Sequence, residues 1–149
     1  MYEIPKVIVP IVLHLSNNES IPGSVWLTEN LISEDGNPLL EEFLNQKDDI
    51  YFSFKSDAGA FRVINKEHII FIETEQDDAE IKRTTPFAPS TMVAHFANTQ
   101  TLYGVVYPTI AAETRVSDFL NQKVDFLVLY RQQQKIVFNR SLVVYANAN

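Results

Sequence analysis

The chain of 149 residues contains no cysteine. That removes disulfides, zinc–thiolate sites, iron–sulfur clusters and thiol nucleophiles together, and it fits a reducing cytosol. Glycine is scarce as well, at four residues, so no glycine-rich loop exists to cradle a phosphate. No apolar run approaches the roughly 20 residues of a membrane helix. The opening Met1-Tyr-Glu-Ile-Pro-Lys-Val-Ile-Val-Pro10 lacks the basic start and unbroken apolar stretch of a signal peptide. There is no Gly-x-Ser-x-Gly elbow. The expectation is a cytoplasmic protein that does not enter the membrane.

What is present is apolar and repetitive. Hydrophobic residues make up 46% of the chain and aromatics 11%, enough for a core and too many for a disordered segment. Phe43-Leu-Asn-Gln-Lys47 recurs as Phe119-Leu-Asn-Gln-Lys123. Upstream, residues 12–28 align with 93–109, with identities at Val12/Val93, His14/His95, Asn17/Asn98, Gly23/Gly104, Val25/Val106 and Thr28/Thr109. Chance gives about one identity over such a span. Downstream, Ile64-Asn-Lys66 matches Phe138-Asn-Arg140. We read the chain as a tandem duplication: a first repeat over 1–74, a linker over 75–90 and a second repeat over 91–149.

Each repeat shows the same succession. Residues 6–16 alternate, with Ile11, Leu13 and Leu15 on one face, and predict a strand. Asn17-Asn18 favours a hairpin turn, and a second strand follows over 21–28. Gly23 and Gly104 predict a bulge or a close backbone approach in that strand. Asn37-Pro38 reads as the start of a short helix with a Leu39, Leu40, Phe43, Leu44 stripe; Ser117 or Thr114 would start its counterpart. Asn45 and Asn121 read as helix stops whose side chains tie down the following turn. Three β-branched and aromatic strands close each repeat: 50–55, 61–64 and 68–74, then 126–131, 135–138 and 142–146.

The opening hairpin, Val-x-Leu-x-x-Asn-x-x-x-Ile-x-Gly-x-Val, resembles that of SH3-like and Sm-like barrels. The second repeat also resembles small bacterial domains of unknown function with a Gly-x-Val … Arg-Leu-Ser-Asp-Phe-Leu-Asn signature. It carries Gly104-Val-Val-Tyr-Pro108, Arg115-Val-Ser-Asp-Phe-Leu-Asn121 and Asn139-Arg140, whereas the first repeat keeps Phe43-Leu-Asn45 of it. The resemblance implies a fold and no activity. The expected architecture is all-β: two tandem five-stranded SH3-like or Sm-like barrels, each with one short helix, related by a pseudo-twofold axis like that of a homodimer.

The formal net charge is −7, unevenly spread. Residues 1–80 hold 16 acidic and 5 basic side chains, and residues 81–149 hold 3 and 7. Such halves attract one another across their contact; the sharper alternative is a basic second repeat that meets an acidic partner.

The candidate chemistry is thin. His14 and His95 are equivalent and could share a metal with His68, but ligand number and geometry lack support, and no metal or cofactor is expected. Adjacent carboxylates such as Asp48/Asp49 point to opposite faces of a strand and do not converge for acid–base catalysis. The Arg-x-x-x-Arg arm of a cyclic-dinucleotide domain is missing. The reading is a non-enzymatic adaptor or regulatory module that binds another protein, possible as a homo-oligomer. Its candidate contacts are Trp26 and Tyr107, equivalent aromatics after the glycine strand, with Arg115, Arg131 and Arg140. Two alternatives stand beside it. One is nucleic-acid binding through Arg115, Arg131, Lys135 and Arg140 with Tyr103, Tyr107 and Tyr130 as stacking platforms, which the acidic balance opposes. The other is small-ligand sensing between the repeats.

Overall fold

The computed structural model describes residues 6–76, 88–107 and 115–148. Ten strands lie among them: β1 (Lys6–Leu15), β2 (Ser20–Thr28), β3 (Tyr51–Ser56), β4 (Phe61–Asn65) and β5 (Ile69–Glu75), then β6 (Ser90–Phe96), β7 (Thr101–Val106), β8 (Phe126–Arg131), β9 (Gln134–Asn139) and β10 (Val143–Ala148). Two short helices, α1 (Leu40–Asn45) and α2 (Val116–Leu120), precede β3 and β8. Most of the expected linker, and Thr114, lie outside the described residues.

All ten strands join one open antiparallel sheet in the order β10-β6-β7-β8-β9-β5-β1-β2-β3-β4. The all-β class therefore holds, but the sheet is continuous and open where two tandem barrels were expected. The expected pseudo-twofold axis is also corrected. Both halves run in the same internal order, β5-β1-β2-β3-β4 and β10-β6-β7-β8-β9. A twofold would pair like strands at the joint. The joint instead pairs β5, the fifth strand of the first half, with β9, the fourth of the second, through Phe71↔Phe138, Ile72↔Val137, Glu73↔Ile136 and Thr74↔Lys135.

The repeated residues have specific local work. Asn17 Oδ1 accepts from Glu19 N at 3.0 Å and Asn98 Oδ1 from Gln100 N at 3.1 Å, holding the two hairpin turns alike. Asn65 and Asn139 cap equivalent single turns of 3₁₀ helix, accepting from Glu67 N at 3.0 Å and Ser141 N at 3.2 Å. Gly23 and Gly104 mark close approaches: an added Cβ would run into the Lys55 carbonyl and the Phe54 ring, or into Leu129 with Tyr130 O at 2.8 Å.

The helix starts differ from expectation. Leu39 and Arg115 occupy the N-cap positions, and neither side chain caps. Pro38 is taken up in an isolated bridge to Ile32, which delays the first turn. The strand registers also shift one pairing. Tyr51 opposes Asn65 and Phe126 opposes Asn139, so Phe126 corresponds to Tyr51 rather than to Ile50.

Two apolar cores form, and each borrows from the other half. The first takes residues from β1 to β5 and α1, together with Phe126 and Val137 of the second half. The second takes β6 to β9 and α2, together with Ile70 and Phe71 of β5.

Candidate functional site

Among the described residues, the outer face of β1–β4 and a cleft at the joint invite a functional reading.

The outer face follows from strand alternation. In β3 the side chains of Phe52 and Phe54 turn inward while Tyr51, Ser53 and Lys55 turn out. Their partners across β4 are Asn65, Val63 and Phe61. Phe61 and Val63 are 70% and 71% exposed, and Tyr51 is 57% exposed. Trp26 of β2, half-buried, stacks on Phe61 with centroids 6.2 Å apart, and Lys55 Nζ lies 5.4 Å above the same ring. Across β1, Ile8 stands opposite Trp26 and is itself exposed. The result is an apolar surface running from Ile8 to Val63, and β4 is an edge strand of the sheet among the described residues.

The sequence-predicted residues divide around this surface. Trp26 belongs to it. Its counterpart Tyr107 does not; it packs edge-on against Tyr130 at 5.5 Å in the second half. The three arginines hold different partners. Arg115 forms an exposed pair with Asp118 at 2.8 Å, which raises the guanidinium pKa and holds the Asp118 carboxyl below its ordinary range, in each case chiefly through their hydrogen bond. Arg131 pairs with Glu73 at 3.3 Å across the joint. Arg140 donates to Leu120 O at 3.3 Å behind α2. None shares a partner with another. Lys135, the fourth basic residue of the nucleic-acid set, is buried at the joint. It donates to Glu41 Oε1 at 3.0 Å and to Pro38 O at 3.1 Å. Two ion pairs thus cross between the acidic and basic halves, as the charge division suggested.

His14 and His68 lie in the first half and His95 in the second. His14 stacks on Phe71 at 4.1 Å, bonds Ser20 Oγ through Nδ1 at 2.9 Å and turns Nε2 toward Glu73 at 3.6 Å. Burial lowers its pKa, against the opposing pull of the Glu73 charge. His95 stacks on Tyr145 at 4.1 Å, and His68 bonds Ser16 Oγ. Among the described residues no group of three His, Asp or Glu side chains is placed to hold a metal.

The cleft holds about 500 Å³ between the end of α1 with the segment that follows it, the turn after β4 and the second half, lined in part by Gln46, Lys47, Lys66, Glu67, Asp125 and Asn139. Lys66 is buried, donates to Gln46 O at 3.1 Å and lies 5.7 Å from the Phe43 ring centre. Burial lowers its pKa, while the carboxylates of Asp49, Asp125 and Asp48 raise it.

The chain matches no family model, no curated protein and no solved structure. The site is therefore read from its own geometry.

Sequence reasoning missed Tyr51, Phe61, Val63 and Lys66. A signal for two of them exists in Phe61-Arg-Val-Ile64: apolar residues fall on both faces of that strand, the pattern of a strand meant to be covered on both sides. Among the described residues no helix is long and apolar enough to cross a membrane.

Proposed function

We propose that this protein is a non-enzymatic binding module that docks another polypeptide on the outer face of β1–β4. One observation carries the reading: Ile8, Trp26, Tyr51, Phe61 and Val63 lie on one face beside β4, which among the described residues is an edge strand of the sheet. Contiguous exposed apolar surface of this kind marks interaction sites, and a free edge offers backbone hydrogen bonds to an added strand. We take each half to be one copy of a duplicated SH3-like unit, opened into the shared sheet; the common strand order and the paired Asn and Gly roles support this. A photo-crosslinking residue in place of Phe61, activated in native cells, should yield protein adducts that Val63→Asp abolishes. Adducts that are absent, or indifferent to Val63→Asp, would overturn the reading.

The cleft beside Lys66 supports a second reading, small-ligand sensing between the halves. A small anion would meet Lys47 and Lys66, but also Asp49, Glu67 and Asp125, so the first reading is preferred. Arg131 and Lys135, engaged with Glu73 and Glu41, leave the nucleic-acid reading without a basic stripe.

A further inference from the structure

We infer that the partner of this face is a second copy of the chain: β4 of one molecule adds to β10 of the next, repeating between chains the joint that β9 makes with β5 within one. This rests on the protein-binding reading above and names its partner.

The internal joint is a contact between unlike strands. A chain of two like halves joined that way keeps one of each strand unused, the fourth of the first half and the fifth of the second. Those are β4 and β10, the two ends of the sheet. Contacts of this kind can continue from molecule to molecule, closing into a ring or running on as a filament.

Equivalent positions show what is missing at the free ends. Val137 is fully buried at the joint, and its counterpart Val63 is 71% exposed. Phe126 packs into the first half's core, and its counterpart Tyr51 is exposed. On the other strand, Ile70 and Phe71 are buried, while Val144 and Tyr145 are 65% and 56% exposed. The histidine stack on this position is already formed in both halves, His14 on Phe71 and His95 on Tyr145. The helices tell the same story. Leu40 and Leu44 of α1 are fully buried where the second half covers them, whereas Val116 and Leu120 of α2 are half-buried.

The apolar face of β3–β4 therefore corresponds to the face that β8–β9 seats on the first core, and the incompletely covered rim of the second core is its complement. Neither end strand carries the proline or lysine with which natural sheets blunt an edge; β10 has no charge, and the one charge on β4 is Arg62, which lies on the Ile64 face and is itself exposed. Transferring the internal register gives Tyr145 opposite Ile64, Ala146 opposite Val63, Asn147 opposite Arg62 and Ala148 opposite Phe61. Asn121 then stands toward Tyr51 of the next molecule as Asn45 stands toward Phe126, where its side chain bonds both backbone N (2.8 Å) and O (3.0 Å). Phe61 and Ser117 replace the Lys135–Glu41 pair, so this contact is apolar where the internal one is ionic.

Sedimentation of the purified full chain over a wide concentration range tests the inference. Wild type should associate beyond a monomer. Val63→Asp and Val144→Asp, both surface changes, should each be monomeric with unchanged thermal midpoints. Mixed, they should form a one-to-one dimer and stop, because only one competent β4 and one competent β10 remain. The register has its own check, clean in a chain without cysteine. Val63→Cys with Ala146→Cys should oxidise to a ladder of linked chains, and Val63→Cys with Ala148→Cys should not. A monomeric wild type at every concentration, a twofold dimer that survives Val63→Asp, or a mixture that stays monomeric would overturn the β4–β10 contact. If the chain stays monomeric yet position 61 crosslinks a foreign protein, the self-partner falls and the binding-module reading stands. If it stays monomeric and crosslinks nothing, both fall.

Discussion

Gly23 and Gly104 sit where a neighbouring strand passes too closely for any Cβ, so alanine there must displace Phe54 or Leu129 and a strand carbonyl. Gly23→Ala and Gly104→Ala should each lower stability by about 2 kcal/mol, the usual cost of overpacking, read as a shift in the urea midpoint. The opposite case is Thr99. It holds a positive φ of 73° at the position where the first half has Asn18 at 69°. A β-branched residue is strained there and asparagine is not, so Thr99→Asn should stabilise by roughly 0.5–1 kcal/mol in the same measurement. His14 gives a pH dependence. Its folded pKa lies below the ordinary 6.5, chiefly because burial disfavours the charged ring. The unfolded chain therefore takes up the proton first as pH falls. Stability that is full above pH 6.5 should decline below it in wild type relative to His14→Gln. Equal slopes for the two proteins between pH 7.5 and 5.5 would contradict this sign (about one pH unit either side of an ordinary histidine).

At the scale of elements, the repeated Phe-Leu-Asn-Gln-Lys was legible as a helix, and its apolar pair does fill each core. Its asparagine was not legible. Asn45 reads from sequence as a stop that tidies its own turn, but its side chain reaches Phe126, 81 positions away. No local pattern carries a partner that distant. Asn45→Ala orphans a backbone N–H in the joint and should cost about 1–3 kcal/mol in thermal unfolding of the dilute protein. The identical change at Asn121, which is exposed in the single chain, should leave that midpoint unchanged and weaken association between copies. The strands were well read because β-branched and aromatic alternation is a local signal; of the eight given bounds, seven agree within one residue at each end, and β10 extends two residues beyond its expected end. The start of α1 was misread because Pro38 is spent on a bridge to Ile32. The outer face was missed for a different reason. Exposure of Phe61 and Val63 depends on which strands end up at the edge, and pairing order is a property of the whole sheet.

For the whole molecule, the decisive fact is that neither core is complete within its own half. The first is closed by Phe126 and Val137, the second by Ile70 and Phe71. Units of this size are near the lower limit for independent folding, and here each would also expose the surface its neighbour covers. The ionic layer of the joint points the same way. Lys135 is buried against Glu41, so removing the carboxylate strands a buried cation, whereas replacing the lysine by an apolar chain of similar length removes the charge along with its need for a partner. Glu41→Ala should therefore destabilise by about 3 kcal/mol and Lys135→Met by far less, an asymmetry that equal losses in chemical denaturation would refute. Because the pair spans the joint, its loss should act on both halves together. Unfolding followed at Trp26 in the first half and by the tyrosine signal of the second should remain a single coincident transition in Glu41→Ala, shifted as a whole. Two separated transitions would mean that the halves stand alone and that the shared cores contribute little to holding them together.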